Sequence, residues 1–123
     1  MAGESELRFR GGENIAMKIP AHLFDQTIAF YRDALKLPLL QEGETGCVFQ
    51  FGAMRLWLDR IPHMSQAELW LEVRTNDVTA AAEHMAGKGV TRCDAIEPLP
   101  DGFEGFWVSA PPGIIHLVAA EGA

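Results

Sequence analysis

The residues able to do chemistry in this chain are few, and they sit in short alternating runs. The run "APPGIIHLVAA" carries one imidazole, His116, and "AELWLEVRT" carries Glu68, Trp70 and Glu72. "MRLWLDR" carries Arg55, Trp57 and Asp59, and "NIAMKIP" carries Asn14 and Lys18. An imidazole with an unperturbed pKa of about 6.5 can abstract a proton at neutral pH, and Glu68 or Glu72 beside it would complete an acid–base pair. Tryptophans among carboxylates make the walls of a small-molecule pocket and attract cations through their ring faces. The other histidines offer less: His22 and His63 fall in loops, and His84 falls on the outer side of a helix. No Ser or Cys nucleophile motif and no glycine-rich phosphate loop occurs in the sequence.

The elements that must position these groups follow from hydrophobic periodicity. In "NIAMKIP", Ile15, Met17 and Ile19 alternate with Asn14, Ala16 and Lys18, the period of a half-buried strand that Pro20 ends. "LFDQTIAFYRDALKL" spaces Phe24, Ile28, Tyr31 and Leu35 as one helical stripe, and "LPLLQEG", "GCVFQFG" and "MRLWLDR" read as three short strands. The same order then recurs. "AELWLEVRT" is a strand, "NDVTAAAEHMAGKG" a helix capped by Asn76 or Asp77 and stopped at Gly87 or Gly89, and "VTRCDAIEPL", "GFEGFWVSA" and "IIHLVAA" supply three strands. Ile28 and Val78, Tyr31 and Ala81, and Leu35 and Met85 superpose at a constant offset of fifty residues.

Each strand's apolar set must face its helix, because a one-residue slip turns the whole set over. The expected core is therefore Ile15, Met17, Ile19, Phe24, Ile28, Tyr31, Leu35, Leu56, Leu58, Leu69, Leu71, Val73, Val78, Ala81 and Met85. The opposite face is expected to carry Asn14, Ala16 and Lys18, then Arg55, Trp57 and Asp59, then Glu68, Trp70 and Glu72, and finally Ile114, His116 and Val118.

A length of 123 residues suits one domain with a real core. The net charge of −7 disfavours a phosphate backbone or an anionic membrane surface as partner. Cys47 and Cys93 form no CxxC motif or disulfide framework, which points to reduced thiols and a cytoplasmic location. The N-terminus lacks the apolar core of a signal peptide, no run approaches the ~20 apolar residues of a membrane span, and residues 1–12 read as a tail or an added edge segment.

The stretches "TIAFYRDALKLPLL", "WLEVRTNDVTAAAEHMAGKGV" and "GFWVSAPPGIIHLV", with the duplicated order of elements, resemble the vicinal oxygen chelate superfamily of glyoxalases, bleomycin-resistance proteins and extradiol dioxygenases. The resemblance runs over about residues 13 to 120, and Ala110-Pro111-Pro112-Gly113 stands where the family has Asp-Pro-x-Gly. It implies an α+β fold of two tandem βαβββ modules, about 13–60 and about 67–120, forming a curved half-barrel sheet with a cavity on its concave face.

It also implies a small-molecule ligand in that cavity and a homodimer. His116 and Glu68 are then the expected catalytic groups, with Trp57, Trp70, Glu72, Lys18 and Arg55 binding the ligand. The family's metal places fall on Asn14, Glu68, Trp57 or Asp59, and His116. Asn14 and Trp57 are poor donors, so no cofactor is favoured; a divalent metal would need the trio Asp59, Glu68 and His116. Two functions follow: a lyase, isomerase or dioxygenase acting on a small oxygenated metabolite, or a non-catalytic binder that sequesters a cationic or aromatic compound.

Overall fold

The computed structural model describes residues 6–111 and 113–122. Pro112 of the Ala-Pro-Pro-Gly turn and the first five residues of the expected tail lie outside the described residues. The chain forms two compact units, one of residues 13–70 and one joining the segment up to Gly12 with the chain from Leu71 onward.

The first unit begins within strand β1 (Phe9–Pro20), and Pro20 hands the chain to a single 3-10 turn. Helix α1 (Phe24–Ala29) follows and continues as a π-helical turn, Phe30–Ala34. Strands β2 (Leu39–Glu42), β3 (Gly46–Phe51) and β4 (Met54–Ile61) complete the module in the order β2-β3-β4-β1. β3 and β4 form a hairpin across Gly52 and Ala53, where Gly52 takes the positive φ of 64° that a tight two-residue turn needs. β1 pairs with β4 in parallel, Ile15 beside Leu56 and Met17 beside Leu58. One parity of these strands thus delivers Ile19, Cys47, Phe49, Leu56 and Leu58 to Phe24 and Ile28 of the helix, as alternation requires.

Leu35 departs from the expected core and is 46% exposed. The wider π-helical coil turns less per residue than an α-helix, so the stripe that starts at Ile28 does not come round to Leu35. Leu23 and Leu37 pack on the cluster from either side of the helix instead.

In the second unit, β5 (Glu68–Thr75) contributes its residues from Leu71 onward. Helix α2 (Val78–Gly87) follows, opened by Asp77, whose carboxylate accepts from the Ala80 N–H at 2.9 Å. Strands β6 (Thr91–Arg92), β7 (Gly105–Ala110) and β8 (Ile114–Ala120) give the order β5-β8-β7-β6. Ala81, Phe106, Val108 and Val118 form the buried cluster, and Val78, Ala82 and Met85 of the helix pack on it. The fold is α+β with two tandem βαβββ modules, as the repeated pattern predicts.

Residues 6–12 are tied into the second unit. β1 opens at Phe9, and Leu7 packs on the second unit's cluster. The Arg8 N–H donates to Asn76 Oδ1 at 2.8 Å, the Asn76 side chain donates to the Glu6 carbonyl at 2.9 Å, and Arg8 and Arg10 both pair with Glu121. Gly12 has a packing reason of its own: a Cβ there would stand 2.2 Å from Glu72 Oε1.

Two further expectations of the core fail on β5, where Leu69 and Leu71 are exposed while Trp70, Glu72, Arg74 and Thr75 are buried. Alternation along "ELWLEVRT" separates two sets correctly but does not say how far a ten-residue helix reaches along the strand. Among the described residues, no helix is long and apolar enough to cross a membrane.

Candidate functional site

The side of the first unit's strands that faces away from α1 collects most of the groups singled out in the sequence. Asn14, Ala16 and Lys18 of β1 lie in register with Arg55, Trp57 and Asp59 of β4, and Gly46 and Val48 of β3 continue that side. Lys18 is 3% exposed, and its ammonium pairs with Asp59 Oδ2 at 2.7 Å while lying 4.3 Å from the centre of the Trp70 ring. A buried ammonium costs several kcal/mol of desolvation, which the carboxylate and the ring face offset. The Trp57 Nε1–H donates to Asn14 Oδ1 at 2.7 Å, and the Trp70 Nε1–H donates to Glu68 Oε1 at 3.0 Å. Both indoles are therefore held in fixed orientations.

Beside this cluster is a recess of about 260 Å³ lined by Trp57, Asp59, Val48, Gln41, Glu42 and Thr45, among others. Gly46 gives Asp59 its room: a Cβ there would lie 2.8 Å from the Leu58 carbonyl oxygen and 3.2 Å from Asp59 Oδ1. Cys47, on the opposite parity, is buried in the helix-side core. Burial first, and then the Glu42 and Asp59 carboxylates, push its thiol above the ordinary range. Iodoacetamide is expected to label Cys47 slowly in the native protein and rapidly after unfolding. Because the unfolded chain ionises this thiol at a lower pH than the native one, its contribution to stability holds at neutral pH and falls as pH rises through the thiol range.

The structure brings together Lys18, Trp57, Asp59, Glu68 and Trp70, with Arg55 exposed on the same side of β4. It does not bring His116 to an open sheet face. In the second unit, His116 pairs in register with Val108 and Leu71, and Val118 with Phe106 and Val73. Phe106, Val108 and Val118 are buried with Ala81 of α2, so His116 lies on the helix side, where its Nδ1 is 3.1 Å from the Ile114 carbonyl oxygen. The expected register of β8 is thus one residue out. Both parities of "IIHLVAA" are apolar apart from the histidine, so alternation gave no choice of face.

Glu72 lies in a buried ion pair of the second unit. It is 9% exposed and pairs with the Arg74 guanidinium at 3.2 Å, while Arg74 Nη1 donates to the Ala120 carbonyl at 2.8 Å. Sequence reading missed Arg74, although it follows Glu68, Trp70 and Glu72 on the same alternation. It also missed Gln41, Glu42 and Thr45, whose place in the recess depends on how β2 and its turn pair with β3.

The donors do not fit a divalent metal. Among the described residues no three His, Cys, Asp or Glu side chains gather as a ligand set. Asp59 is engaged by Lys18, Glu68 by Trp70 and Asn14 by Trp57, and the His116 of the expected trio faces a helix. Elemental analysis after purification is expected to find no stoichiometric zinc, nickel, iron or manganese.

No protein-family model matches the sequence, and no curated protein does. Solved structures match it well in fold at low identity. A Mn(II)-bound glyoxalase from Novosphingobium aromaticivorans aligns over 94% of this chain with a TM-score of 0.70 and 17% identity. The chain spans 40% of that protein's length. Homoprotocatechuate 2,3-dioxygenase from B. fuscum aligns over 91% of this chain and 32% of its own, with a TM-score of 0.63 and 18% identity. A glyoxalase/bleomycin resistance protein/dioxygenase superfamily member from Vibrio splendidus aligns over 94% of this chain and 99% of its own, with a TM-score of 0.62 and 12% identity. The two βαβββ modules and these likenesses agree on one fold: the chain has the fold of the vicinal oxygen chelate superfamily.

Proposed function

We propose that the chain binds a small, planar, hydroxylated compound in the recess of its first module. The observation that carries the reading is the Lys18–Asp59 pair held beside the fixed Trp57 indole. Asp59 offers a carboxylate oxygen as acceptor for hydroxyl donors, and Trp57 offers a flat, part-exposed wall for a ring. At about 260 Å³ the recess lies just under the ~300–1,000 Å³ usual for drug-sized ligands, which suits a compound of about one ring. Glu42 in the lining and the net charge of −7 disfavour an anionic ligand. The reading requires neither a metal nor His116.

Catechol, cyclohexane-1,2-diol and benzoate separate its parts when titrated against intrinsic tryptophan fluorescence. Catechol is expected to bind best, since the alicyclic diol lacks the flat ring and benzoate brings a negative charge toward Glu42. Trp57→Leu should weaken catechol by about tenfold, the loss of one stacking contact in a small site. Equal affinity for all three compounds, or no change in Trp57→Leu, would contradict the proposal.

A further inference from the structure

The second unit has a recess that the proposed function leaves unused. Helix α2 has ten residues and is about 15 Å long, whereas the seven residues of β8 extend about 23 Å. The helix cannot cover its strand from end to end. At its C-terminal end, where Gly89 turns the chain with a φ of 81°, a cavity of about 570 Å³ opens toward the start of β8. Val73, Met85, Val90 and Val108 supply apolar lining, and Lys88 and His116 supply polar groups. A second hollow of about 350 Å³, lined by Phe9 and His84, shares Val73, Met85, Lys88 and Val90 with the first. The two are parts of one groove.

The charge of this groove runs against that of the molecule. The chain has seventeen Asp and Glu against ten Lys and Arg, yet neither hollow is lined by a carboxylate among the described residues. Their charged lining residue is Lys88, with an imidazole in each hollow, His116 in one and His84 in the other. An apolar trough with cationic and hydrogen-bonding groups beside it complements a molecule with an apolar chain and an anionic head.

We propose that this groove binds an acyl carboxylate, its chain along Val73, Met85, Val90 and Val108 and its carboxylate at Lys88 and His116. The site is separate from the recess at Trp57 and does not rest on that reading. It also gives the lone imidazole of "IIHLVAA" a ligand-facing place on the helix side of its strand.

Octanoate is the probe, followed by NMR of the full chain, with octylammonium and acetate as comparators. Octanoate is expected to shift the Val90, Val108 and His116 resonances saturably and to leave the Trp57 indole unmoved. Octylammonium and acetate should bind at least about tenfold more weakly, since each lacks one half of the match. Lys88→Glu should weaken octanoate by at least about tenfold, and Lys88→Gln, which removes the positive charge without adding a negative one, should weaken it less. Lys88 is exposed, so both variants are expected to fold. Equal binding of octylammonium and octanoate, or unchanged affinity in Lys88→Glu, would overturn the proposal. So would a dimer seen by light scattering in which Lys88→Glu releases the monomer and octanoate does not bind, since the groove would then be an interface between copies.

Discussion

Replacing Asp59 with alanine is expected to lower the stability of the protein by about 3 kcal/mol, roughly a 10 °C fall in Tm for a chain of this size. The reason is the burial of its partner. The Lys18 side chain is 4% exposed, and the Asp59 carboxylate 2.7 Å away provides an opposite charge at the ammonium. Removing one member of such a pair leaves the desolvation of the other less compensated, which costs more than removing both. Lys18→Met should therefore be much milder, within about 1 kcal/mol, because methionine keeps apolar bulk under Trp70 and frees Asp59 to meet solvent. The double variant should resemble Lys18→Met. Equilibrium urea unfolding of the three variants checks this order, and an Asp59→Ala protein as stable as Lys18→Met would show that the pair is not coupled.

Arg74→Met is expected to have a comparable or larger effect, about 3 kcal/mol or more. Glu72 and Arg74 are both buried, with side chains 6% and 8% exposed, and the Glu72 carboxylate is packed against Gly12. The substitution removes the ion pair at 3.2 Å and the hydrogen bond from Nη1 to the Ala120 carbonyl. Arg74→Lys should recover part of the loss: it restores a charge, but a point ammonium cannot reproduce the guanidinium's bonds to both acceptors. Thermal unfolding of the two variants measures the difference. If methionine and lysine at this position give equal Tm, the pair contributes shape rather than charge.

The fold was legible in the sequence because its signal repeats. The stripe of Phe24, Ile28 and Tyr31 and that of Val78, Ala81 and Met85 each mark a helix, and each helix faces an alternating strand set. The site was legible where one face of a strand is clearly polar. Lys18, Trp57 and Asp59 alternate with Ile19, Leu56 and Leu58, so their side of the sheet follows from the pattern. It was not legible at β8, where Ile114, Ile115, Leu117 and Val118 leave both faces apolar and His116 is the one polar marker. There the choice of face rests on packing with α2, which buries Phe106, Val108 and Val118 together. Lengths were also hidden: no periodicity shows that α2 stops short of Leu71 or that a π-helical turn carries Leu35 out of the core.

On the proposed function, the first module's recess, and not the surroundings of His116, receives the planar ligand. The three tryptophans make it directly measurable, since each indole N–H has its own acceptor: Asn14 for Trp57, Glu68 for Trp70 and the Glu97 carbonyl for Trp107. Catechol titrated into protein labelled with ¹⁵N at the indole nitrogen should shift the Trp57 resonance most, Trp70 less, and leave Trp107 and the His116 ring unmoved. Saturable shifts centred on His116 or Trp107, with Trp57 unchanged, would contradict the account.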